Sequence, residues 1–152
     1  MKQLIQAVAT TIGVFGLAGG AFAGGDADRC SAESLHGEYV LSASGFTVNS
    51  VTGAAQPKAI VEVIDFDGEG MLAVPAATRS VNGVIGRSLP GTGSYTVAND
   101  CSGTITFDAG PSFDAFIAPR GNQLWVIQTN PANVFQGSAT RTASEMRDRD
   151  RQ

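Results

Sequence analysis

The sequence holds one histidine, one tryptophan and two cysteines. A lone histidine cannot build a zinc site unless carboxylates or the cysteines join it. The cysteines, Cys30 and Cys101, lie far apart, with no C-x-x-C and no nearby histidine, so a redox or metal pair is not supported. Basic residues are scarce: Lys and Arg total 10 against 14 Asp and Glu, for a formal net charge of −4, and no basic patch interrupts the chain. That balance argues against nucleic acid and anionic membrane surfaces as partners. No G-x-S-x-G elbow is present, and GRSLPGTGSY, Gly86 to Tyr95, lacks the Gly-Lys-Ser/Thr ending of a phosphate loop and leads into an extended stretch. No cofactor and no metal are expected. After the N-terminal run, no segment carries an apolar period of 3.6 residues, which excludes a helical bundle.

What is present begins with MKQLIQAVATTIGVFGLAGGAFA. Lys2 precedes an uncharged run from Leu4 to Phe22, and Ala21-Phe22-Ala23 forms an A-x-A cleavage signal. Residues 1–23 therefore read as a secretory signal peptide and not as a membrane anchor. The expectation is an exported protein, periplasmic or extracellular, with a single domain over 24–141. The tail 142–152, TASEMRDRDRQ, is charged with both signs and poor in large apolar residues, and is expected to be disordered or a frayed helix. An even cysteine count in an exported chain argues for a Cys30–Cys101 disulfide.

Period-2 alternation and short apolar runs dominate the rest. Ser31 to His36 could form one helical turn, capped by Ser31 and ended by Gly37. Eight extended stretches follow: EYVLSASGFT, KAIVEVIDF, MLAVPAATRSV, VIGRSLPGTGSYTV, CSGTITFD, SFDAFIAP, QLWVIQT and NVFQGSATR. Turn residues separate them, Asn82-Gly83 most clearly. Successive strands joined by short turns predict an all-β, antiparallel up-and-down barrel of about eight strands, with a β-sandwich as the alternative.

Four features could carry chemistry. DFDGEG, Asp65 to Gly70, spaces its acids like a calcium loop. A strand precedes it, however, and position 12 is Ala76 instead of a bidentate Glu, so a hairpin turn explains it better. His36 reads as a surface residue after a helical turn. Glu62 lies between Ile60 and Ile64 on one strand face. If that face points inward, its carboxyl sits in an apolar interior and could do acid/base work. The plainer reading puts Val61 and Val63 inside and Glu62 in solvent. Asp114 poses the same alternatives, and Arg79 and Arg87 are cations that could pair with either acid or meet an anionic headgroup. Tyr95 is the remaining acid/base candidate.

Cys30 with Leu35-x-Gly37-x-Tyr39, Phe66-Asp67-Gly68-x-Gly70, Gly93-x-Tyr95-x-Val97, Asp100-Cys101-x-Gly103-Thr104 and the closing Gly137-x-Ala139-x-Arg141 form a pattern over most of the exported chain. It resembles a group of small exported bacterial proteins that look like calycin-type or allene-oxide-cyclase-like eight-stranded barrels. These residues are turn glycines, core aromatics and the two cysteines, so they specify a fold and not a reaction. The resemblance implies either a barrel that binds a small hydrophobic molecule or one that guides a cyclisation or isomerisation. The leading expectation is a carrier of a small apolar or amphipathic ligand, lined by Tyr39, Leu41, Tyr95, Val97, Ile105, Phe107, Ile117 and Trp125. The second is a cofactor-free cyclase or isomerase using Glu62, Asp114 or Tyr95. The third is a structural or interaction protein with a solid core and an apolar surface patch.

Overall fold

Alternating burial organises nine strands. In the computed structural model, which describes residues 29–142, these are β1 (His36–Val48), β2 (Ala55–Asp67), β3 (Met71–Val81), β4 (Val84–Arg87), β5 (Gly91–Val97), β6 (Ser102–Phe107), β7 (Ser112–Ile117), β8 (Gln123–Gln128) and β9 (Asn133–Arg141). All neighbours are antiparallel, in the order β2-β1-β9-β8-β7-β6-β5-β3-β4. A further β2–β3 pairing closes the sheet on itself. The result is a closed eight-stranded barrel with β4 as an extra strand, so the sandwich alternative does not apply. Closure pairs both edges of the eight barrel strands, while the extra strand β4 pairs with β3 alone. The signal peptide expected over 1–23 lies outside the described residues, as does the tail beyond Thr142, whose backbone N–H donates to the Glu38 carbonyl at 2.9 Å.

The stretch expected as one long strand with an irregularity at Pro90 to Gly93, VIGRSLPGTGSYTV, is interrupted just before that point to give β4 and β5. Both halves pair with the same edge of β3 in one register: Arg87 faces Thr78 and Gly91 faces Val74. Continuing that register sets Pro75 opposite Pro90. Neither proline can donate to the ladder, so the strand breaks there. Ser88, at φ 53, marks the start of the break.

One end of the barrel is plugged. A 3-10 turn, Ala32–Ser34, forms just before β1, where the Ser31 N–H donates to Ser34 Oγ at 3.0 Å. The Tyr95 hydroxyl reaches the carbonyls of Leu35 and Ala32, at 2.9 and 3.1 Å. Arg141, at the end of β9, donates to the Tyr39 hydroxyl through Nε and Nη2, at 3.0 and 2.7 Å, and to the Ser34 carbonyl at 3.0 Å. Tyr39 in turn donates to the Gly121 carbonyl. Gly121 itself sits at φ 63, and a Cβ there would collide with the Ser34 carbonyl. Phe66 packs edge-on between Tyr39 and Tyr95, with centroids 5.2 and 5.0 Å away. Cys30 and Cys101 are disulfide-bonded, which ties the plug to the β5–β6 turn. Leu35, Ile64, Ile105, Ile117 and Leu124 fill the space beneath, all buried.

Candidate functional site

The opposite end is hollow. A cavity of about 570 Å³ opens there, walled by the second half of β3, the first half of β2, the start of β5, the β6–β7 turn and the facing ends of β8 and β9. Its apolar walls come from Leu41, Ile60, Val74, Ala77, Leu89, Phe107, Phe113 and Phe135. The three phenylalanines form a chain, with Phe113 6.0 Å from Phe107 and 6.3 Å from Phe135, between centroids. The barrel is thus solid at one end and open at the other.

Glu62 lies inside. The burial pattern of β2 alternates so that Lys58, Ile60, Glu62, Ile64 and Phe66 face inward, while Val61 is 53% exposed. The plainer expectation, Glu62 in solvent with Val61 and Val63 in the core, is therefore corrected. The cause lies in the neighbouring strands. Ile64 pairs with buried Tyr39, and Glu62 lies between Leu41 on β1 and Ala77 on β3, so the core face of β1 fixes the face of β2. Glu62 is only 8% exposed. Among the described residues it has no hydrogen-bond or ion-pair partner, yet its carboxyl borders the cavity. Burial raises its pKa from 4.5, the ordinary carboxyl value, to about 7.

Two cations share the cavity wall. Lys58 crosses toward β8 and β9, where its ammonium donates to Gln128 Oε1 and Asn133 Oδ1, both at 2.6 Å, and rests 4.3 Å from the Phe135 ring centroid. Burial lowers its pKa. Arg79 stands at the rim, paired in the ladder with Ile60 and so diagonal to Glu62, without an ion pair to it. Asp108, also at the rim, accepts the Thr92 hydroxyl at 2.6 Å. Arg87 faces the outer surface beside Thr78.

The residues expected to line the interior are distributed differently. Leu41 and Phe107 do line the cavity. Tyr39, Tyr95, Ile105 and Ile117 are buried in the solid end, and Val97 packs against it. The Tyr95 hydroxyl is committed to the plug, and burial, as the leading cause, raises its pKa, so it is no cavity acid or base. Trp125 is on the outer face, 49% exposed, because Leu124 and Val126 take the inward positions of β8. Asp114 is likewise exposed, between buried Phe113 and Ala115. Trp125 thus corrects the interior placement expected for it, while Asp114 takes the solvated one of its two alternatives and is no cavity group. Lys58, Ile60, Val74, Ala77, Leu89, Phe113 and Phe135 were missed as liners. Their inward parity was readable for several strands, but their height along the barrel axis was not.

DFDGEG is the β2–β3 hairpin. Asp67 Oδ1 accepts the backbone N–H groups of Glu69, Gly70 and Met71 at 2.7, 3.0 and 3.0 Å, and these bonds pull its pKa down. The carboxylate is thus spent on closing the turn. His36 opens β1 and is half-buried. On the outer wall, Phe116 pairs with Trp125 across β7–β8, and exposed Ile127 lies two residues along β8 from Trp125, diagonal to Phe116.

Among the described residues, the fold and site define a class: a closed antiparallel barrel with a disulfide-tied plug at one end and, at the other, an open cavity that holds the buried Glu62 carboxyl. No protein-family model matches the chain, and no curated protein matches its sequence.

Proposed function

We infer that this protein binds a small amphipathic ligand, whose apolar body fills the cavity and whose polar end lies at the rim near Lys58 and Arg79. The observation that carries this reading is the one-ended cavity. Its volume of about 570 Å³ falls within the range of small-molecule pockets, and its walls are mostly apolar with a few polar groups. A filled barrel would have spent those phenylalanines on packing. The disulfide supports action outside the reducing cytoplasm, in line with the secretory signal read in residues 1–23. The resemblance to calycin-like barrels points the same way.

One observation favours a second reading. A carboxyl in an apolar pocket is what a cofactor-free isomerase or cyclase would need, with Glu62 as its acid/base group. The exposed Phe116–Trp125 pair is what the interaction-protein reading would use, but that reading has no role for the cavity.

The test is native mass spectrometry of the unreduced protein purified from its own host. A discrete small-molecule increment over the denatured mass, lost in Ala77→Trp, is the expected result, because Ala77 is a cavity wall with space beyond it. Bound and denatured masses that agree, in wild type and variant alike, would count against a carrier.

A further inference from the structure

Among the described residues, the carboxyl of Glu62 is the one polar group that the cavity leaves uncommitted at depth. Every element facing it offers little to hold a charge there. β1 presents Leu41, β5 presents Gly91, β7 presents Phe113 and β9 presents Phe135. β8 presents Gln128, already bonded to Lys58. Lys58 on β2 is four residues away along the strand, roughly 13 Å between Cα atoms at strand spacing, and its ammonium is bound elsewhere. Arg79 on β3 is diagonal and unpaired with it, and Asp108 at the β6–β7 turn is a rim group bonded to Thr92.

We propose that the deep end of the cavity is a subsite for a neutral hydrogen-bond-accepting oxygen of the ligand, a keto or ester carbonyl, to which the Glu62 carboxyl donates in its acid form. This deepens the ligand-binding reading and rests on it. The reasoning is a choice between two ways of completing the group. An ionised carboxylate sealed under an apolar ligand needs a cation, because an isolated buried charge is strongly disfavoured. The cavity already carries Lys58 and Arg79, which repel a cationic ligand. A protonated carboxyl needs only an acceptor, which a neutral oxygen supplies. Because burial already moves the carboxyl up to about 7, the acid form is well populated near neutrality without a ligand. Ligand uptake is then linked to a proton: the competent fraction falls tenfold for each pH unit above that midpoint.

The experiment measures binding of three probes of one length, octan-2-one, octane and octylammonium, to the intact disulfide-bonded protein by methyl NMR titration. Wild type, Glu62→Gln and Glu62→Leu are compared at about pH 5.5 and about pH 8.5. The proposal expects octan-2-one to bind wild type about 30-fold more weakly at the higher pH. E62Q, a permanent neutral donor, should lose that pH dependence. E62L should lose up to about tenfold in ketone affinity at the lower pH, the worth of one neutral hydrogen bond, and nothing for octane. Ketone affinity that ignores pH, or that survives in E62L, overturns the subsite while leaving the cavity as a binding site. Octylammonium that tightens as pH rises overturns it in favour of an anionic Glu62. Failure of all three probes at both pH values removes the ligand-binding reading itself, and the subsite with it.

Discussion

Glu62 makes the stability of this protein depend on pH, because burial raises its pKa in the folded state. In the unfolded chain the group titrates near 4.5, and in the barrel near 7. Between these values the folded protein keeps a proton that the unfolded chain has lost. Stability from this source is therefore complete below about pH 4.5, falls as pH rises, and is gone once pH passes the folded value. The span corresponds to about 3 kcal/mol. E62Q removes the titration. Urea or thermal unfolding of the disulfide-bonded proteins should show wild type and E62Q close together near pH 4.5, and E62Q more stable by about 3 kcal/mol near pH 8. In a domain of this size that is roughly 10 °C in Tm. Asp67 and Asp100 have pKa values held down by hydrogen bonds from their own turns, so they act at more acidic pH and cancel between the two proteins. Parallel pH profiles for wild type and E62Q would put Glu62 in water, on the outer face, and would refute the reasoning about β2.

Other perturbations probe the rest of the molecule. Tyr39→Phe leaves the Gly121 carbonyl and two Arg141 donors without their buried partner, and should cost about 1–3 kcal/mol in unfolding free energy. Replacing both Cys30 and Cys101 by serine releases a loop of 71 residues, and the urea midpoint should fall by the equivalent of up to about 4 kcal/mol. Trp125→Ser should cost less than about 1 kcal/mol, since the indole sits on the outer wall; a loss of 3–5 kcal/mol would mean that it fills the core.

Much of the fold was legible because strands and turns announce themselves locally. Alternation in EYVLSA named the buried side of β1 as Tyr39, Leu41 and Ala43. Asn82-Gly83 and Asp67-Gly68 marked hairpins that the barrel uses. The break between β4 and β5 was legible only as an irregularity at Pro90 to Gly93; that it separates two strands depends on Pro75 and Pro90 meeting across the ladder. The face of β2 was not legible. Ile60, Ile64 and Phe66 compete with Val61 and Val63, and only pairing with β1 decides between them. The site suffered most from a different gap. Period-2 patterns give the inward side of a strand but not whether a residue lies at the plug or at the mouth. Tyr39 and Tyr95 point inward as expected, yet the 3-10 turn and Arg141 claim their hydroxyls. Phe135 and Phe113 point inward at the other end, where they line the cavity together with Ile60.

The central claim is that the barrel is solid around Tyr39 and Phe66 and able to receive a ligand around Glu62. Methyl NMR of the disulfide-bonded protein titrated with octan-2-one near pH 5.5 tests it most directly. The account predicts saturable shifts at Leu41, Ile60, Val74 and Leu89, with Ile105, Ile117 and Leu124 unmoved. Shifts confined to Val61 and Ile127 on the outer wall, or no saturable shift at any methyl, would contradict it.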